Sequence, residues 1–169
     1  IRGGGQEYGL RSATENVAGI VGLGKAAAIA HSEMTDETSH LISLRDRLIS
    51  GVIARIPNAY LVGHAYKRLP GHVCLGFAGQ EGEAIRLMLL LNEKDIAVST
   101  GSACSSHHAG QPSYVLMAMG MNPVEARGSL RITLGRFNSE SEVDIFLDVL
   151  PQLTEQLRHV TSRSFVPAA

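Results

Sequence analysis

Cysteine is scarce in this sequence. Cys74 and Cys104 stand alone in 169 residues, too few for a disulfide framework, so a reducing cytoplasm is the expected compartment. Charge is nearly balanced, with a formal net of −1, and neither a nucleic acid nor an anionic membrane surface is expected as a partner. No apolar run approaches the length that spans a bilayer. The start lacks the charged-then-apolar form of a signal peptide. Internal repeats and low-complexity tracts are missing too. What remains is a chain of ordinary domain size whose hydrophobic residues, 44% of the total, suffice for a core.

The chain opens on Ile1 and enters the glycine-rich run "RGGGQEYG" at once. A domain rarely begins this way, so the expectation is a fragment or a product trimmed at its N-terminus; an ordinary processed start is the alternative. Residues 1–12 read as irregular, with Ser12 or Thr14 expected to cap a helix that holds Glu15 in its first turn. Val17, Ile20, Val21, Leu23 and Ala27 recur at helical spacing to about Met34, and Leu41, Leu44, Leu48, Ile49, Val52 and Ile56 repeat the pattern. Pro57-Asn58 stops it. Residues 14–56 therefore read as one long helix or two joined ones, a candidate connector between domains.

Shorter elements follow. "AYLVG" (59–63), "HVCLGF" (72–77), "DIAVST" (95–100) and "SLRITLG" (129–135) have strand character. Residues 81–92, "SYVLMAMG" behind Pro112, "NPVEARG" (122–128) and the amphipathic stretch 139–160 read as helices. Pro112 suits a first helical turn and Gly120 a C-terminal cap. Ser139 with Glu142 makes a capping box, and Pro151 is expected to kink the last helix. Strands interleaved with helices suggest an open α/β or α+β sheet packed by helices on one face.

Four places could carry chemistry. Cys104, in "STGSACSSHHAGQPS", sits among small polar residues, as a loop nucleophile would; a free surface cysteine with no role fits the same pattern. Cys74, inside an apolar strand, reads as a buried structural thiol. His107 and His108 give C-x-x-H-H with Cys104, but a zinc site wants four ligands and no second Cys/His cluster exists. Either histidine is a possible base for the thiol, or a solvated loop residue. Arg131 lies in a strand pattern, where its guanidinium either meets an anion such as a carboxylate or faces water from an edge strand. Finally, "RGGGQEYGLRSATEN" places glycines, Arg11, Ser12 and Thr14 before a helix N-terminus, an arrangement that suits a phosphate but matches no phosphate-loop signature.

Taken in order, "GGGQEYGLRSATENVAGIVGLGKA" (3–26), "VSTGSACSS" (98–106), "PSYVLMAMG" (112–120) and "SLRITLGRFNSESEVD" (129–144) strongly resemble the C-terminal portion of NifS/IscS-like cysteine desulfurases. These are class V aminotransferases, fold type I pyridoxal 5'-phosphate enzymes. The resemblance covers nearly the whole chain, most loosely over residues 57–95 and the last ten. It implies an α+β small domain: long connecting helices, then a small mixed or antiparallel sheet covered by helices. Residues 1–56 would be the glycine-rich segment and connecting helices of the large cofactor domain. Residues 57–169 would be the C-terminal small domain, with the catalytic cysteine loop at about 99–111.

The resemblance also implies roles. Cys104 would take sulfur from L-cysteine bound to the cofactor, releasing L-alanine and holding a persulfide for an iron–sulfur scaffold or another sulfur-acceptor protein. The run Ser105–Gln111 is similar to the long-loop branch. Arg131 would grip the substrate carboxylate. Thr14 would reach the cofactor phosphate of the neighbouring subunit in a homodimer. No intrinsic metal is implied, although Cys104 could ligate a cluster transiently with a scaffold. Ala13 departs from the usual glycine, so the turn before Thr14 is expected to be tighter or shifted. Thr100 is a milder departure, and His107 and His108 match no family feature.

One absence matters more. The family attaches its cofactor to a lysine in an S-H-K segment upstream of the glycine-rich run, and Lys25, Lys67 and Lys94 have no such context. The chain alone is therefore expected to be inactive and not to hold the cofactor covalently. The alternatives are a cofactor-free persulfide carrier or interaction module, a selenocysteine lyase-like enzyme of class V, and a cysteine hydrolase using Cys104 with a nearby histidine.

Overall fold

The computed structural model describes residues 1–101 and 111–163. The chain forms two compact units, Ile1–Glu37 and Thr38–Ala169. Helix α1 (Val17–Arg55) runs without a break for 39 residues, the single long helix of the two forms expected.

In the first unit, residues up to Asn16 are irregular apart from a short turn at Gln6–Gly9, where Glu7 and Tyr8 take left-handed backbone angles. Ser12 is the buried residue that closes this segment on itself: its Oγ donates to Gly4 O at 2.7 Å and its N–H to Ile1 O at 3.2 Å. Neither Ser12 nor Thr14 caps the helix. Asn16 does, its Oδ1 accepting the Gly19 N–H at 3.1 Å, and Glu15 falls before the cap rather than in the first turn. Ala13 has φ 93°, a region that favours glycine. The apolar residues Val17, Ile20, Val21 and Leu23 on α1 are all exposed.

The second unit is an antiparallel sheet with a helical layer. Strands β1 (Ala59–Leu61), β2 (His72–Phe77), β3 (Ser99–Thr100) and β4 (Leu130–Thr133) lie in the order β1-β2-β4-β3. Val73 pairs with Ile132, Cys74 with Arg131, and Arg131 with Ser99 on its other side. Side chains alternate across a strand, so Val73, Leu75, Leu130 and Ile132 face one way while His72, Cys74 and Arg131 face the other. The first face meets the second half of α1 (Leu44, Leu48, Val52), α2 (Ala84–Asn92; Leu87, Leu91) and α5 (Glu140–Arg163; Val143, Phe146, Leu150) in one buried core. The small antiparallel sheet covered by helices is thus as expected.

Short helices α3 (Tyr114–Ala118) and α4 (Pro123–Arg127) connect β3 to β4. Pro112 does not enter the first turn of α3; Ser113 is the cap, with its Oγ accepting from Leu116 N. Gly120, at φ 95°, ends α3 where expected. The Ser139–Glu142 capping box of α5 forms, with Ser139 N donating to the Glu142 carboxylate at 2.8 Å. Pro151 lies inside α5 and has no N–H to offer the carbonyl of Leu147. Arg55 Nη1 donates to that carbonyl at 2.8 Å instead, and also pairs with Asp148, tying α1 to α5. Arg47 adds a bidentate pair with Asp144 at 2.9 and 2.8 Å.

Candidate functional site

The sheet face turned away from the core carries a cleft of about 460 Å³. Its floor is His72 and Cys74 on β2 and Arg131 on β4; one wall is the β1–β2 connection with His64, Lys67 and Arg68, the other is α3. Among the described residues the lining contains no aspartate or glutamate, while Arg68, Arg131 and Lys67 are cationic. An anion is the complementary guest.

Arg131 is half-buried. Among the described residues its guanidinium makes one hydrogen bond, Nη2 donating to Ser99 Oγ at 3.0 Å. The strand position read from sequence is therefore correct, and β4 is not an edge strand, since β2 and β3 pair with it on either side. Five N–H donors less one leave a fork able to receive a carboxylate.

Arg68 is a residue the sequence reading did not single out. It knits the β1–β2 connection together, donating from Nη2 to Val62 O at 2.9 Å, Nε to His64 O at 2.9 Å and Nη1 to His72 O at 3.3 Å. Burial, and next the Arg45 charge, lower its pKa from the ordinary guanidinium value. His64 Nδ1 accepts the N–H groups of Tyr66 and Lys67, both at 3.0 Å, and preforms the turn. His72 is pushed down by burial and then by the charges of Arg68 and Arg131, which favours its neutral form. Cys74 is 7% exposed, the buried strand thiol expected, and burial pushes its pKa up while a hydrogen bond with Ser129 and the two arginines pull the other way. It nevertheless borders the cleft, because Cys74 and Arg131 are cross-strand partners.

Cys104, His107 and His108 lie outside the described residues. Gly101, three residues before Cys104, borders the cleft, and the chain returns to it at Ser113. Thr14 is exposed in the first unit, one residue after Ala13. Among the described residues no cluster of His, Cys, Asp and Glu has the makings of a metal site, and no helix is long and apolar enough to cross a membrane.

Pyridoxal phosphate, which the sequence resemblance implies, asks for more than this cleft has. Lys67 is an exposed rim residue, Lys94 lines a separate groove and Lys25 sits on the exposed first half of α1. Among the described residues no lining carboxylate is present to pair with the ring nitrogen. These residues do not fit the cofactor by themselves.

Known proteins resemble this chain in sequence and in fold. Cysteine desulfurase IscS 1 of Archaeoglobus fulgidus is 51% identical over 161 residues, which is 95% of this chain and 41% of that protein. Cysteine desulfurase IscS of Clostridium botulinum is 47% identical over 95% of this chain and 40% of its own length. The chain thus spans about 40% of the curated relatives it matches. Among solved structures, a NifS-like protein superposes with a TM-score of 0.75 at 36% identity over 92% of this chain and 38% of that one. A NifS-like protein from Rickettsia africae gives 0.76 at 28% identity, covering 92% and 39%. The sequence pattern of the family whose model is described as aminotransferase class-V runs through residues 4–146, and the chain belongs to that family.

Proposed function

We propose that this chain is the carboxylate-recognising, sulfur-accepting part of a pyridoxal-phosphate-dependent cysteine desulfurase. The observation that supports it best is the cation-lined cleft with Arg131 at its floor, opening beside Gly101, from which Cys104 is at most ~11 Å of backbone away. The names of its relatives point the same way. Arg131 holds the substrate carboxylate through the fork left free beside Ser99. The Cys104 thiolate takes the substrate sulfur: L-cysteine and the enzyme thiol give L-alanine and an enzyme persulfide, with one sulfur atom moved and no external oxidant. The cofactor, when bound, supplies the electron sink for breaking the carbon–sulfur bond; its lysine anchor belongs to residues other than those described above.

The finer assignments rest on the same reading. Thr14 reaches the cofactor phosphate of the neighbouring subunit in a homodimer, and the persulfide passes to an iron–sulfur scaffold or other acceptor in the cytoplasm. Residues 1–56 connect to a large cofactor domain and residues 57–169 make the small domain; the exposed Val17, Ile20, Val21 and Leu23 on α1 support a covering partner there. The test is single-turnover labelling of the complete enzyme with sulfur-labelled cysteine and peptide mapping. Label on the Cys104 peptide, lost in Cys104→Ser, is expected. Label retained on the Cys74 peptide, or full turnover by Cys104→Ser, would falsify the assignment.

A second reading, a cofactor-free persulfide carrier, is favoured by the lack of a fitting lysine among the described residues of the cleft. It predicts sulfur acceptance on Cys104 from a partner protein in the absence of any pyridoxal phosphate.

A further inference from the structure

Arg131 lies between two strands and is held from one of them. On the β2 side its cross-strand partner is Cys74, a buried thiol that offers no strong acceptor. On the β3 side its partner is Ser99, whose Oγ receives Nη2 at 3.0 Å. Directly opposed antiparallel residues bring their side chains onto one face at close range, so this bond needs no distortion of either strand. Arginine loses considerable rotamer freedom when fixed. A guanidinium with one tethered amino group has part of that freedom removed before a ligand arrives, and keeps its remaining donors for the ligand. β3 is two residues long and is followed by Gly101 at φ 54°, so Ser99 is carried on the strand that leads directly out of the cleft.

We propose that Ser99 is a positioning residue that aims the Arg131 fork at the substrate carboxylate, an inference resting on the carboxylate role of Arg131 given above. It predicts a defect in binding rather than in chemistry. In the complete holoenzyme, Ser99→Ala should raise KM for cysteine about three- to tenfold, the size expected for one lost hydrogen bond, with kcat within about twofold of the parent. Ser99→Thr keeps the hydroxyl and should restore KM. A simple carboxylate, propionate, used as competitive inhibitor should weaken by the same factor in Ser99→Ala, which reads binding without turnover. Adding Ser99→Ala to Arg131→Ala should change nothing further, because the residue acts only through that arginine.

Two results would overturn the inference while leaving the carboxylate reading intact: Ser99→Ala with unchanged KM and inhibition constant beside a defective Arg131→Ala, or single-variant effects that multiply in the double variant. A normal KM in Arg131→Ala would refute the carboxylate reading itself, and the role of Ser99 with it. Equal thermal midpoints for the parent and Ser99→Ala are expected; should Ser99→Ala fold poorly, the Ser99→Thr inhibition constant decides, and weakened propionate binding in a stably folded Ser99→Thr overturns the tether.

Discussion

Replacing Arg131 with alanine in the complete enzyme should weaken substrate binding, and the structure sets both the size and the pH dependence of the loss. Arg131 is half-buried and spends one donor on Ser99. A charge-assisted contact from the remaining donors contributes about 1.5–3 kcal/mol, equivalent to about a ten- to hundredfold rise in KM. Arg131→Lys should recover little, since an ammonium has neither the fork nor the planar reach to Ser99. His72 then matters. Burial lowers its pKa first, and the charges of Arg68 and Arg131 lower it further. Removing Arg131 removes one of those repulsions, so the His72 pKa moves back up toward the ordinary 6.5. As pH falls, His72 in the variant takes up a proton before the parent does, returning positive charge to the cleft. The variant-to-parent KM ratio should therefore shrink as pH falls from neutrality through and below the ordinary histidine value. Ionisation of the substrate cancels in that ratio. Steady-state kinetics of parent and variant across this range is the assay. A ratio near one throughout refutes the carboxylate role, and a large ratio that is flat with pH refutes the coupling to His72.

Other consequences are simpler to read. A Cβ at Gly128 would overlap the backbone of Glu81, so Gly128→Ala should destabilise the second unit by about 2 kcal/mol or more, seen as a lowered denaturation midpoint; an unchanged midpoint contradicts the packing. Ala13 sits at φ 93°, and Ala13→Gly should relieve about 1 kcal/mol of local strain, read as slower amide exchange at residues 12–14. Asp144 is held below the usual carboxylate range by its hydrogen bond with Arg47. A depressed folded-state pKa stabilises above the unfolded value and is lost as pH falls through the folded one, so Asp144→Asn should flatten the acid limb of stability against pH; a limb as steep as the parent's argues against the pair. Cys74→Ser puts a hydroxyl in a buried site and should lower stability with kcat retained; loss of turnover in a folded Cys74→Ser would give that thiol a role in chemistry.

Local patterns in the sequence decided most of the elements. The helical repeat through Ile56 with the Pro57-Asn58 stop, the alternation about Arg131, the Ser139–Glu142 box and Gly120 after α3 each depend on neighbours a few residues apart, and each reappears in the structure. Where two local solutions competed, the sequence left them open. Ser12 and Thr14 were the caps expected, and Asn16, an equally good cap that the sequence reading missed, takes the position while Ser12 turns its hydroxyl back to Gly4. Likewise "DIAVST" has strand character throughout, yet only Ser99 and Thr100 find partners on β4.

Tertiary structure alone decided the site. Arg131 and Ser99 are 32 positions apart, and Arg55 finds the carbonyl released by Pro151 across 92. Such pairings come from strand order and helix packing, for which no periodicity carries a signal. The strand pattern around Arg131 allowed an edge strand as well as an inner one, and β4 lies inside the sheet, with β2 on one side and β3 on the other. The same placement brought the buried Cys74 beside Arg131 and made Arg68, which the sequence reading did not single out, the clasp of the cleft wall. Residue type and local spacing thus determined what each segment could be. Long-range hydrogen bonds and burial, which only the folded chain creates, determined which of its polar residues face a common cavity.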